Sequence, residues 1–111
     1  MKNMNIQERI LNQIKIERQK QDAKWGEQNH LPMEWITILM EEIGEVSKEA
    51  CDHHFRNGFG EDPILDENFS LVQEQRLIRY RQELIQVAAV AVSMIECLDR
   101  GFPVSIAIND E

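Results

Sequence analysis

The chain has no apolar run long enough to cross a membrane. Its longest, VAAVAVSMI, is nine residues, against the roughly 18 to 20 that a spanning helix needs. The opening stretch, MKNMNIQERILNQ, lacks the apolar block and cleavage site of a secretory signal, so a cytoplasmic location is expected. Cysteine is scarce. Cys51 and Cys97 form no CxxC pair and make no zinc pattern with the three histidines, so both are expected as small core residues. Positive charge is also short. Twelve Lys/Arg against twenty Asp/Glu leave a net charge of −8, which argues against tracking a nucleic acid polymer, since its phosphates need a basic surface. There is no internal repeat and no low-complexity segment.

What remains is an ordinary soluble composition, 42% apolar and 29% charged, in 111 residues. That length suits a single domain over 1–111. A helical chain of this size often completes its core by pairing, so a homodimer or homotetramer is expected. The charge is uneven. Residues 1–30 carry six basic against four acidic residues, and residues 31–111 carry six against sixteen. Plain solvated surface would account for the split. So would a basic element set beside an acidic pocket that holds a metal and a phosphorylated ligand.

Hydrophobic spacing predicts three helices and an all-α fold. Ile6, Ile10, Leu11 and Ile14 recur at helical intervals and place the first at about 4–22, ending before KWGEQNHLP. Pro32 suits the first turn of a second helix, about 32–55, with Glu34 near its positive end. Trp35, Ile36, Leu39, Met40, Ile43, Val46, Ser47 and Ala50 mark one face of it. The segment RNGFGEDPILDENFS, 56–70, cannot be one continuous helix, because Gly58, Gly60 and Pro63 interrupt it. Its length suits a functional or mobile insert. Phe55, Phe59 and Phe69 bracket it, as a lid or as part of a dimer contact. A third helix, about 70–100, starts at Ser70 as N-cap, with a break near 75–78 open. Leu77, Tyr80, Leu84, Val87, Ala88, Ala91, Ile95 and Leu98 carry its pattern to Gly101 and Pro103. VSIAI, 104–108, is expected as a packed tail or a short strand.

The second helix contains EEIGE, residues 41–45, with three carboxylates in little more than a turn. Like charges three and four residues apart weaken a helix. Glu42 and Glu45 lie at the edge of the apolar face, where carboxylates must protonate, pair with a base or bind a cation. Lys48 is the nearest base. A solvated acidic edge is the plain alternative. The third helix repeats the pattern: Glu83 and Gln86 are three apart, just before a run too apolar to be exposed. Two facing helices that each present two oxygen-bearing side chains can hold a hard cation such as Mg²⁺. A di-iron site of the ferritin type is less suited, since it wants Glu-x-x-His, and neither Glu42 nor Glu83 has His three residues on.

EEIGE followed by ELIQVAAVAV resembles the MazG-like, all-α nucleoside triphosphate pyrophosphohydrolases. That family carries Glu-Glu-x-x-Glu on one helix and Glu-x-x-Asp on a later one, with Mg²⁺ between them. RQKQDAKWGEQNH, 18–30, is also similar to the stretch before the first motif in a single-domain branch. The likeness covers about 16–100. The first motif matches in full, whereas Gln86 stands where the second has Asp.

The resemblance implies a MazG-like helical bundle that cleaves a nucleoside triphosphate to monophosphate and pyrophosphate, a house-cleaning activity on a non-standard or deoxy nucleotide. It implies Glu42, Glu45 and Glu83 as Mg²⁺ ligands (Mn²⁺ as a substitute), with Gln86 as a fourth, uncharged ligand position. Glu41 and Glu42 become the catalytic carboxylates, Glu41 orienting the attacking water or binding a second ion. Basic residues must meet the phosphates. Lys48 and Arg79 are the foremost candidates, with Arg56, Arg76, Arg81, Lys15, Arg18 and Lys24 behind them. Trp25, His30 and Trp35 flank the WGEQNH loop, where an indole or imidazole could stack on a base and Asn29 could read its edge, with core packing as the plain alternative for each tryptophan. Two alternatives stay open: a catalytically weak nucleotide-binding or sensing protein of the same fold, and a non-enzymatic helical dimerisation module.

Overall fold

A computed structural model describes residues 3–55 and 69–108, with backbone but not side-chain detail at 69–71. Most of the expected insert, with Arg56 and Phe59, lies outside the described residues. Three helices follow in order, α1 (Ile6–Trp25), α2 (Pro32–His54) and α3 (Phe69–Asp99), with no strand among the described residues. The chain is all-α, and no described helix is long and apolar enough to cross a membrane. α3 is the central element, and both α1 and α2 pack on it.

The helix ends follow local chemistry. Asn5 caps α1 by accepting from the Glu8 N–H at 2.8 Å, satisfying one of the donors a helix start leaves open. α1 runs to Trp25, three residues past the expected end. Gly26, at φ 73°, closes it by donating to Asp22 O at 2.8 Å. The glycine is the stop. Pro32 opens α2, and the Glu34 carboxylate accepts from the Leu31 N–H at 2.8 Å, so an acid sits at the positive end of the helix. α3 begins at Phe69, so Ser70 lies inside its first turn instead of capping it, and the helix runs unbroken through 75–78. It ends in a Schellman turn: Phe102 N–H donates to Cys97 O at 3.2 Å and Gly101 N–H to Leu98 O at 2.9 Å, with Gly101 at φ 88°. Residues 104–108 form neither a strand nor a packed tail. Val104, Ile106 and Ile108 are all exposed.

The apolar core is thin. Trp35, Ala89, Val90 and Cys97 are buried, and Arg18, Gln73, Arg76 and Ser93 are buried beside them. Cys51, expected inside, is exposed. The stripe expected on α2 divides in two. Trp35 is buried and Leu39 and Val46 are half-buried, whereas Ile36, Met40, Ile43, Ser47 and Ala50 are exposed; Ile38, Glu42 and Glu49, outside the expected stripe, are half-buried. On α3, Leu77, Leu84, Ile95 and Leu98 are likewise exposed. The radius of gyration, 18.1 Å, is well above the about 13 Å of a compact chain this long. One copy therefore leaves much of its apolar surface in water.

Candidate active site

The inward face of α1 starts apolar and turns polar. Ile10 and Ile14 are half-buried, and the same face continues as Glu17, Arg18 and Gln21. Glu17 and Arg18, adjacent in sequence, enter different clusters.

Arg18 enters a closed one. It is 9% exposed and donates through Nε to Glu96 Oε1 at 2.6 Å, through Nη2 to Asp22 Oδ1 at 2.8 Å and through Nη1 to Gln21 Oε1 at 2.9 Å. Burial works against its charge, but the hydrogen bonds and charges of Glu96 and Asp22 prevail and hold its pKa above the ordinary arginine value. The network fixes donor and acceptor sense further on. Because arginine only donates, Gln21 turns its oxygen to Arg18 and its amide nitrogen to Gln86, whose Oε1 lies 3.5 Å away. The Gln86 oxygen thus faces α1.

Glu17 belongs to an acidic cluster. Glu42 on α2 has its pKa raised, first by burial and then by the charges of Glu83, Glu45, Glu41 and Glu17. Glu83 on α3 is raised by burial and then by the charges of Glu45 and Glu49. In both, burial and neighbouring negative charge disfavour the ionised form. Carboxylates from all three helices therefore act on one another. Among the described residues, one arginine touches this cluster, Arg79 on Glu49 at its edge, and Glu42, Glu45 and Glu83 have no ion pair. Of the expected site residues, Glu41, Glu45 and Glu83 are near enough for their charges to act on Glu42, and Glu45 acts on Glu83. Glu17 and Glu49 join them, two residues outside the expected set. The legible signal for Glu17 is an apolar stripe that turns polar mid-helix.

A cleft of about 250 Å³ opens beside the cluster, lined by Glu41, Glu42 and Gln86, by Trp25 and Trp35, and by Gln21, Gln28, Ile38, Val90 and Ser93. Trp35 is buried, and its indole N–H has no acceptor among the described residues. A buried donor left unpaired costs about 1–3 kcal/mol, which an acceptor on a ligand would offset. Trp25 is exposed, and the Lys24 ammonium stands 4.6 Å from its ring centre.

The other expected contacts are engaged within the chain or do not line this cleft. Asn29 is used to fasten the 26–31 loop to the end of α3. Its Oδ1 accepts from Arg100 Nη2 at 2.9 Å and from Cys97 Sγ at 3.6 Å, and its Nδ2 donates to Glu27 Oε2 at 3.3 Å. His30 sets its ring edge-on to Trp35, centroids 4.7 Å apart. It positions that indole and does not line the cleft. Arg79 pairs with Glu49 at 3.3 Å. Lys48 is exposed and does not line this cleft.

The donor chemistry fits a hard divalent cation, since the crowded groups are carboxylate oxygens. Among the described residues, no three His, Cys, Asp or Glu side chains already stand together as a ligand set. Binding would have to draw these carboxylates inward. Comparisons with protein families, with curated proteins and with solved structures find no match to this chain.

Proposed function

We propose that the chain is a Mg²⁺-dependent nucleoside triphosphate pyrophosphohydrolase of the MazG-like kind, releasing a monophosphate and pyrophosphate in the cytoplasm. The observation that carries the reading is a gathering of carboxylates across facing helices beside a cleft walled by two indoles. Glu83 on α3 is near enough for its charge to act on Glu42, and Glu45 on α2 acts in turn on Glu83. Glu42, Glu45 and Glu83 would hold the ion. When bound, Mg²⁺ supplies the charge that offsets the triphosphate and polarises a phosphoryl oxygen.

The chain's own residues do the rest. Glu41, on the cleft wall next to Glu42, accepts a proton from the attacking water. The water oxygen bonds to phosphorus as the bridging oxygen leaves with pyrophosphate. Trp25 and Trp35 offer flat apolar surface to a base and keep water from it. Gln86 has its oxygen turned toward Gln21, which leaves its amide N–H groups for an acceptor on the ligand.

The deciding experiment is a panel of nucleoside triphosphates with Mg²⁺, scored for monophosphate and pyrophosphate. Release of orthophosphate instead would sink the cleavage position. No Mg²⁺-dependent rise in melting temperature would sink the metal site, because a ligand that binds only the folded state must stabilise it.

The exposed apolar face of Ile36, Met40 and Ile43 on α2, with Leu84, Ile95 and Leu98 on α3, supports assembly with a second copy of the chain. Light scattering at tens of micromolar is expected to give a dimer or tetramer mass. A monomer mass would remove this part of the proposal.

A further inference from the structure

A second cleft, of about 490 Å³, lies between α1 and α3. Its walls include Glu17 and Lys20 on one side and Arg81, Glu83 and Gln86 on the other. Gln86 lines both this cleft and the indole cleft. Glu17 lines the α1–α3 cleft, and its charge reaches Glu42, which lines the indole cleft. The two spaces therefore meet at the acidic cluster.

The α1–α3 cleft holds charge of both signs. Carboxylates alone suit a cation, and cations alone suit an anion. Glu17 and Glu83 beside Lys20 and Arg81 suit an anion that arrives with its own divalent ion. The two basic groups are also uncommitted. Among the described residues Lys20 has no ion pair, and Arg81 donates only to the neutral Gln13 amide, at 2.7 Å. Among the described residues Arg9, Lys15 and Lys48 likewise have no ion pair, so what sets Lys20 and Arg81 apart is that they line this cleft. Three other arginines are engaged by acids: Arg18 by Glu96 and Asp22, Arg79 by Glu49, and Arg100 by Glu27. Arg81 retains further N–H donors in a planar fork that matches phosphate oxygens, and Lys20 adds a flexible point charge.

We infer that the α1–α3 cleft is the polyphosphate half of the site, with Lys20 and Arg81 on the outer phosphates, the part released as pyrophosphate. This rests on the hydrolase reading above and deepens it. A ligand with its base between Trp25 and Trp35 passes Gln86 and the acidic cluster and ends at these two cations. The role expected of Lys48 and Arg79 moves to Lys20 and Arg81.

The test is calorimetric titration of Mg²⁺-pyrophosphate into the parent chain, Lys20→Gln, Lys20→Arg, Arg81→Gln, Lys48→Gln and the charge-matched surface variant Arg9→Gln. Lys20→Gln and Arg81→Gln are each expected to weaken binding about 10-fold, the scale of one charge-assisted contact. Arg9 is exposed and lines neither cleft, so Arg9→Gln should match the parent, and Lys20→Arg should retain binding. Lys20 and Arg81 are exposed, so unchanged far-ultraviolet circular dichroism will show that the variants fold. If the parent cleaves nucleotides and binds pyrophosphate but Lys20→Gln and Arg81→Gln match it, or Lys48→Gln carries the loss, the inference is overturned and the hydrolase reading stands. If the parent neither binds Mg²⁺-pyrophosphate nor cleaves any triphosphate, both fall.

Discussion

Two charged clusters occupy the same helices and differ in how their charge is balanced. The Arg18 cluster spans α1 and α3, and each guanidinium nitrogen has a named acceptor: Glu96, Asp22 or Gln21. The Glu42 cluster spans α1, α2 and α3 and contains acids alone, apart from Arg79 on Glu49 at its edge. Burial tolerates the charged form of a group only where partners are supplied. The first cluster supplies them from within the chain and so reads as structure. The second leaves Glu42 and Glu83 without such partners among the described residues, and their pKa values rise. Glu17 and Arg18 show how sharply the two are separated, one peptide bond apart.

The largest effect should come from removing a carboxylate of the open cluster. Glu42→Gln or Glu83→Gln is expected to lower Mg²⁺-dependent hydrolysis at least about 100-fold, a scale that loss of an outer partner of a metal already reaches. The metal-free variant should be no less stable than the parent, since a partly buried like charge has been removed. If both variants keep parental turnover, the open cluster is not the site.

Removing the centre of the closed cluster should act on stability instead. Arg18→Met leaves Glu96 and Asp22 without their partner, but both carboxylates remain about half exposed, so water limits the loss. A destabilisation of about 1–3 kcal/mol is expected in urea unfolding, and Mg²⁺ should not restore it. Recovery of stability with Mg²⁺ would mean that the two clusters are not separate.

The acidic cluster also predicts a pH dependence with a definite sign. Glu42 and Glu83 both have raised pKa values, through burial first and neighbouring carboxylates second. Between the ordinary glutamate range and those raised values, the folded chain binds more protons than the unfolded one. The destabilisation is therefore absent below that window and complete above it. At neutral pH, in EDTA, the parent should melt below Glu42→Gln, and the gap should close as pH falls toward about 4, the ordinary glutamate range. A gap that is constant with pH would place Glu42 in water with no perturbed titration.

The smallest effect concerns Gly44, inside EEIGE. A Cβ at this position would meet nothing within 4 Å, so Gly44→Ala should stabilise α2 by about 0.5–1 kcal/mol through the lower helix cost of alanine. A loss of stability that deepens with protein concentration would show a second copy packed against residue 44.

Much of the fold is legible in the residues themselves. Pro32 and Glu34 open α2, Gly101 closes α3, and the i, i+3 spacing puts Glu42 with Glu45 and Glu83 with Gln86. These features depend on backbone geometry within a few residues. The departures share a cause. Spacing groups Ile36, Met40 and Ile43 with Trp35 and Leu39 on one stripe, yet the first three are exposed. Periodicity sorts residues around a helix, but it does not say which group the rest of the chain covers. Asn29 and His30 have the right chemistry for a base, but Arg100, Cys97 and Trp35 use them to hold the 26–31 loop.

By itself, then, the sequence determined three helices, most of their ends, and the pairing of Glu42 with Glu45 on α2 and of Glu83 with Gln86 on α3, because each follows from hydrogen bonds and side-chain spacing inside one segment. Which charges are neutralised was decided only by tertiary structure. Arg18 meets Glu96 across 78 residues of chain, and Gln21 meets Gln86 across 65. Lys20, in the same helix, meets no acid among the described residues. Charge pairing acts through space over a few ångströms, so no local pattern could separate a cation paired within the fold from one without an acid.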